Sequence, residues 1–306
     1  MIKVDLITGF LGSGKTTFIK KYASYFMSQG QRIGILENDY GAVNVDMMLL
    51  KSLRGDNCEL EMVAGACDSD CHARRFKTKL ISMAMSGYDR VIIEPSGIFD
   101  VDEFFDVIRD EPLDKWYEIG NVIAIVDARL NMNTSDTANY YLASQVANAG
   151  AIVLSRTQMV SPSQIDAVKE HVIKACESVK LRRDISGIFI DEPWGEGDFS
   201  CFAHVGSRES SYVKLMTRES TGFETLYFLD VPMDAARVES IMSSVFSGVY
   251  GDVMRVKGFY LDGDKWKQVN AIPGQCEIED IEDGQQVIIV IGERLNKELI
   301  DGLFAG

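Results

Sequence analysis

The feature that most constrains the fold of this chain is a set of short apolar runs without polar alternation. They lie at Ile2–Thr8, Arg32–Glu37, Val91–Glu94, Val122–Val126, Ala151–Leu154 and Gly187–Ile190. A strand with one wet face alternates, whereas a strand covered on both faces reads as a near-continuous Val/Ile/Leu run. Between the runs lie helical patterns. Thr16–Gln29 stops at Gly30, a residue suited to the left-handed turn that ends a helix. His72–Met85 places Phe76, Leu80, Met83 and Ala84 at helical spacing and stops at Gly87. Ser161-Pro162-Ser163-Gln164 supplies a cap, a Pro at the first helical position and a capping-box Gln for a helix reaching Val179. This alternation predicts an α/β fold: a mostly parallel, doubly wound sheet joined by right-handed crossovers.

A chain of 306 residues is long enough for two domains. The first is expected over 1–200. From Trp194 to Phe223 the periodicity fades into Gly, Ser, Glu and Asp, which predicts a linker at 201–222. A small C-terminal α+β domain is expected over 223–306. It has strands at Thr225–Leu229, Val253–Tyr260, Lys265–Val269, Glu277–Asp280 and Gln286–Ile291, and helices at Ala235–Ser247 and Lys297–Phe304. Asp262-Gly263 signals a hairpin.

Composition excludes several functions. Thirty-one Lys and Arg against 46 Asp and Glu leave a net charge of −15. Without a basic tract, neither nucleic acid nor an anionic membrane is an expected partner. No apolar run reaches the ~20 residues that span a bilayer. The N-terminus has no apolar stretch of signal-peptide length. Six cysteines, at 58, 67, 71, 176, 201 and 276, are too sparse for a disulfide scaffold, so a reducing cytoplasm is the expected location.

Gly9-Phe10-Leu11-Gly12-Ser13-Gly14-Lys15-Thr16 fits the pattern G-x-x-x-x-G-K-[ST], with an apolar strand before it and a helix after it. That context predicts a P-loop NTPase. Gly9, Gly12, Ser13, Gly14 and Thr17 would cradle phosphates on backbone N–H groups at a helix N-terminus. Lys15 would reach the β- and γ-phosphates, and the Thr16 hydroxyl would bind magnesium. The run Arg90–Glu94 ends in an acid followed by Pro95-Ser96-Gly97. Glu94 is expected to hold a magnesium-bound water or orient the attacking water, with the Gly97 N–H near the γ-phosphate.

With these pieces the chain resembles the CobW-like GTPases, metal-chaperone relatives of the urease and hydrogenase nickel-insertion GTPases. Glu37-Asn38-Asp39-Tyr40-Gly41 looks like the family's first switch, and Glu94-Pro95-Ser96-Gly97 like its second-switch segment. Val122–Asp127-Ala128 resembles the strand ending in Val-Asp-Ala, and Arg255-Val256-Lys257-Gly258-Phe259 the signature of the C-terminal domain. The resemblance implies a GTP-hydrolysing switch that delivers a metal or metallocofactor to a metalloprotein or corrinoid-protein client, with a homodimer open. It also implies that Asp39 approaches magnesium and that Glu37 touches the transported metal.

Two segments depart from the family. Its Gly-Cys-x-Cys-Cys metal motif is here Gly65-Ala66-Cys67-Asp68-Ser69-Asp70-Cys71-His72. If the helix starts early, Cys67 and Cys71 stand at i, i+4 on one face. His72 and Glu37 would then complete a set suited to zinc, cobalt or nickel. In base recognition, the family's Asn-Lys-x-Asp is replaced by Ser155-Arg156-Thr157-Gln158. Gln158 has an amide oxygen but no charge, and Arg156 could stack over the base, so GTP and ATP both stay open. Two other functions remain: a small-molecule kinase with Arg74, Arg75, Lys77 and Lys79 as its lid, and a nucleotide-gated binding module without metal delivery.

Overall fold

The computed structural model describes residues 1–38, 45–63, 69–99, 101–195, 197–213 and 222–305. Met1–Met216 and Thr217–Gly306 form two compact units, each with its own apolar core.

In the first unit the elements run β1 (Ile2–Thr8), α1 (Lys15–Ser28), β2 (Ile33–Asn38), α2 (Val45–Leu50), β3 (Cys58–Val63), α3 (Ser69–Ala84) and β4 (Arg90–Pro95). They continue as α4 (Val101–Arg109), α5 (Leu113–Trp116), β5 (Tyr117–Asp127), α6 (Asp136–Ala147), β6 (Ala151–Ser155), α7 (Pro162–Ser178) and β7 (Phe189–Ile190). The strands form one parallel sheet in the order β3-β2-β4-β1-β5-β6-β7. β2, β4 and β6 are buried at every position, which is why their sequences show no alternation. After β1 the chain builds the β2–β4 side of the sheet and then crosses back to add β5, β6 and β7. The strand order therefore reverses at β1, and the crevice beyond its C-terminal end is where such a sheet binds ligands.

Helix α1 carries the core. Its Phe18, Ile19, Tyr22 and Phe26 pack on Ile7, Ile33, Ile92 and Ile123. Each such side chain contributes roughly 1.5–3 kcal/mol when fully buried. Phe199 and Phe202, on a 3-10 turn, close over Phe18 with ring centroids 5.3 and 5.1 Å away. The chain beyond that turn also returns to the first unit, where Ser207 bridges Ala149 and Gly206 N donates to Asn121 Oδ1 at 2.8 Å.

The root of β1 is pinned by a buried polar cluster. Asp5 accepts from Tyr22 OH at 2.7 Å, Arg90 Nη1 at 2.5 Å and Asn121 N at 2.8 Å. Burial pushes the Asp5 carboxyl up despite the Arg90 charge. The register of β1 on β5 shifts between Val4 and Leu6, and Gly120 leaves the room the carboxylate fills, since a Cβ there would stand 2.2 Å from Asp5 Oδ1.

Several elements differ from expectation. β5 starts at Tyr117, earlier than its apolar run, and β7 shrinks to two residues behind the 3-10 turn Ser186–Ile188. β3, α4 and α6 were not anticipated.

The second unit is an antiparallel sheet of β8 (Phe223–Leu229), β9 (Asp252–Asp262), β10 (Lys265–Ile272), β11 (Gln275–Ile281) and β12 (Val287–Glu293), with α8 (Ala235–Ser244) and α9 (Lys297–Ala305). Its order is β11-β10-β9-β12-β8. Gly263, at φ 64°, turns the hairpin between β9 and β10. Val238 and Ile241 of α8 and Ile300 and Phe304 of α9 pack on Val256, Tyr260, Val269 and Ile288. Lys257, within the segment that resembles the family's C-terminal signature, is buried, and Arg255 Nε donates to Asn270 Oδ1 at 3.1 Å. Among the described residues no helix is long and apolar enough to cross a membrane.

Candidate functional site

The C-terminal ends of β1, β2, β4 and β6 deliver the residues singled out from sequence to one edge of the parallel sheet. After β1 the loop curls through Gly9, Gly12 and Gly14, at φ 149°, 71° and 98°. Lys15, buried at the start of α1, donates from Nζ to Gly9 O at 3.0 Å. The Ser13 hydroxyl is buried in this loop without a hydrogen-bond partner, so an anion seated here would meet an unused donor. A Gly-rich turn that only joined strand to helix would need neither this donor nor a buried lysine.

Thr16 Oγ1 donates to Glu94 Oε1 at 2.8 Å. A hydroxyl and a buried carboxylate in contact beside a phosphate loop are a donor set that fits magnesium. Glu94 is the last residue but one of β4, and the parallel register sets it directly opposite Glu37 on β2. Both carboxylates are buried, at 3% exposure each. Beyond Glu94, Ser96 N donates to Asn38 O at 2.9 Å, and Gly97 O accepts from Gln145 Nε2 at 2.8 Å. Gly97 lies so close to the phosphate loop that a Cβ would stand 2.8 Å from Leu11 N.

Asp39 and Cys67 lie outside the described residues. Of the other residues expected to hold a transition metal, Glu37 is on β2, while Cys71 and His72 are in the first turn of α3. Cys71 is half-buried and His72 fully buried, with His72 Nδ1 3.3 Å from Glu103 Oε1 on α4. Among the described residues no three His, Cys, Asp or Glu side chains converge as a metal set. Burial pushes the thiols of Cys58 and Cys176 up to about 11 and about 12, which makes both poor metal donors at neutral pH.

On the β6 side, Ser155 Oγ donates to Ser13 O at 2.7 Å. Arg156, in the left-handed region at φ 59°, donates from Nη1 to Gly12 O at 2.9 Å and to Asp127 Oδ2 at 2.8 Å. The guanidinium lines the cavity beside β6 and buttresses the phosphate loop, and Asp127, shared with Arg129, is its counter-charge. Thr157, Gln158 and Trp194 line a cavity of about 190 Å³ that opens onto Gly14 and Thr17. The Trp194 indole is fixed by Nε1 donating to Leu154 O at 3.1 Å. Sequence reasoning missed Glu103, Gln145 and the role of Asp127, because each acts through a contact between distant elements. Two members of the basic cluster on α3 are held in ion pairs, Lys77 with Asp110 and Lys79 with Glu61, as on a solvated helix face.

Parallel sheet, phosphate loop and facing carboxylate define a P-loop nucleoside triphosphatase. Within that class the chain belongs to the CobW/HypB/UreG family, whose nucleotide-binding domain matches residues 3–182. It is 27% identical over 170 residues to the zinc chaperone YeiR of Escherichia coli (strain K12), covering 55% of this chain and 51% of YeiR. It is 24% identical over 278 residues to the zinc chaperone YjiA of the same organism, covering 86% of this chain and 83% of YjiA. The chain thus spans about half the length of YeiR and most of YjiA. Among solved structures, that of the Zn(II)-bound YjiA GTPase from E. coli covers 100% of this chain and 98% of its own at 21% identity, with a TM-score of 0.44.

Proposed function

We propose that this protein is a triphosphate-hydrolysing switch that carries a transition metal, zinc foremost, to a client metalloprotein. The observation that carries this reading is the register pairing of Glu37 with Glu94. One carboxylate belongs to the nucleotide site, its neighbour to the segment expected to touch cargo. Two buried carboxylates side by side call for positive charge between or beside them. A change at either cation is then felt at the other.

In this reading Gly9, Gly12, Ser13, Gly14 and Thr17 surround the phosphates and Lys15 neutralises the β,γ-oxygens. Thr16, Glu94 and Asp39 hold magnesium, which when bound supplies positive charge toward the leaving phosphate oxygens. Gly97 meets the γ-phosphate, and its contact with Leu11 makes it responsive to that group's loss. Asp39 follows Glu37 by two residues, so movement of one shifts a ligand of the cargo metal, the coupling a chaperone needs. Cys67, Cys71, His72 and Glu37 form the cargo set, and its two thiols would stay reduced in the cytoplasm. Zinc is favoured because relatives such as YeiR and YjiA are named zinc chaperones; cobalt and nickel share the donor chemistry, and a corrinoid protein is one class of client.

The test is competition titration with zinc and cobalt, comparing wild type with Cys67→Ser/Cys71→Ser, each with GDP and with a non-hydrolysable triphosphate. Wild type should bind more tightly, and its affinity should change with the nucleotide. Equal affinity in both proteins, or none of the nucleotide dependence, would leave a switch without cargo. In parallel, Lys15→Ala should lower hydrolysis by at least ~10²-fold, the scale for losing one preorganised charge stabiliser.

A further inference from the structure

From the β6 cavity we infer that this protein accepts adenine and guanine nucleotides alike, with Gln158 as the residue that withholds a choice between them. The inference rests on the triphosphate reading above and goes beyond it by naming the base.

The cavity lies where a base must go. Gly14 and Thr17 belong to both the phosphate loop and the cavity wall, so a nucleotide with its phosphates on the loop extends toward Thr157, Gln158 and Trp194. Among the described residues lining it none is acidic. Arg156 also lines it, but its Nη1 is held by Gly12 O and its charge is met by Asp127, so it offers the base a surface and not an unspent charge. Lys21 lines it as well, with its Nζ donating to Gly195 O, while the β6-loop groups that face the base edge, Thr157 and Gln158, are neutral.

The edges of the two purines differ in polarity. Guanine presents a carbonyl acceptor beside two N–H donors; adenine presents an amino donor beside a ring-nitrogen acceptor. A carboxylate only accepts, so it rewards guanine and repels the adenine ring nitrogen. A carboxamide carries a donor and an acceptor side by side, and Gln158, exposed at the cavity rim, can turn to satisfy either edge. Thr157 adds a second adaptable group. Its Oγ1 is buried without a hydrogen-bond partner on a residue only 6% exposed, and a hydroxyl donates or accepts as required. Two groups without fixed polarity, beside an indole that any base can stack on, make a purine pocket that does not discriminate.

The experiment is calorimetric titration of the full chain, with magnesium present, using GTP and ATP analogues that resist hydrolysis between the β- and γ-phosphates. Wild type should bind the two within tenfold of one another. Gln158→Asp should shift the ratio toward GTP by at least tenfold, since a hydrogen bond to a charged group exceeds a neutral one by about that factor. A wild-type preference beyond tenfold, or a Gln158→Asp ratio equal to wild type's, overturns the inference. If neither analogue binds, the triphosphate reading itself fails, a result separate from a skewed ratio. Because Gln158 is exposed, the substitution should leave folding intact, and an unchanged melting temperature verifies this.

Discussion

Lys15 and Gly9 share a hydrogen bond, and it makes different demands on each. The lysine needs its charge; the glycine needs to have no side chain. Gly9 sits at φ 149°, and a Cβ added there would stand 2.3 Å from Ile125 O on the neighbouring strand. Backbone cannot yield as a flexible side chain would, and backbone held in such a region costs on the order of 1–3 kcal/mol. Gly9→Ala should therefore lower both the melting temperature and triphosphate affinity, the latter by tenfold or more. Calorimetry with a non-hydrolysable analogue checks this; affinity equal to wild type would mean that the loop relaxes around the methyl group. Gly30, also at positive φ, has open space where its Cβ would go, so the positive φ alone sets its demand.

Between elements, the contact of α3 with α4 has consequences for cargo. A metal-bound histidine usually hands its other ring nitrogen to a carboxylate, which fixes the tautomer and turns the ring. In the proposed cargo site Glu103, 3.3 Å from His72 Nδ1, would stand in that relation to His72. Glu103→Ala should weaken zinc binding about 10–100-fold while leaving triphosphate affinity unchanged; zinc affinity equal to wild type would remove His72 from the cargo set. This pair was not legible in the sequence, since only the folded chain brings Glu103 to His72. β3 was missed for another reason: Cys58-Glu-Leu-Glu-Met-Val forms an edge strand, half wet, and carries little of the apolar weight that marked β1, β2, β4 and β6. The phosphate loop and Glu94 were legible because their chemistry is local, a run of residues next to a strand end. Of the base cavity the Ser155–Gln158 side was legible in the same way; that Trp194 closes the same cavity was not, because only the folded chain brings that indole to β6.

For the first unit as a whole, one buried charge cluster ties β1, β4, β5 and α1 together at Asp5. Arg90 also lies over the Phe26 ring, 3.9 Å from its centroid, so it ties the cluster to the core of α1. Removing one member of a buried ion pair strands the other, at a cost of about 3–5 kcal/mol. Arg90→Ala should lose stability of that order, read from the urea midpoint. Asp5→Leu combined with Arg90→Met should recover much of it, because the pair's desolvation cost vanishes with both charges. A loss below ~1 kcal/mol for Arg90→Ala would show that water reaches Asp5.

The acidity of the chain acquires a local meaning at β11. This strand closes one side of the second unit's sheet, and its outer backbone groups could template a further strand from another molecule. Glu277, Glu279 and Asp280 are exposed along it, and Glu282 and Asp283 follow. A second copy approaching that side in antiparallel fashion would set carboxylate against carboxylate. The row of acids thus acts as a guard against self-templating and amyloid-like stacking. Salt screens it, so crowding this protein at high ionic strength should be more hazardous than its folded stability alone would suggest.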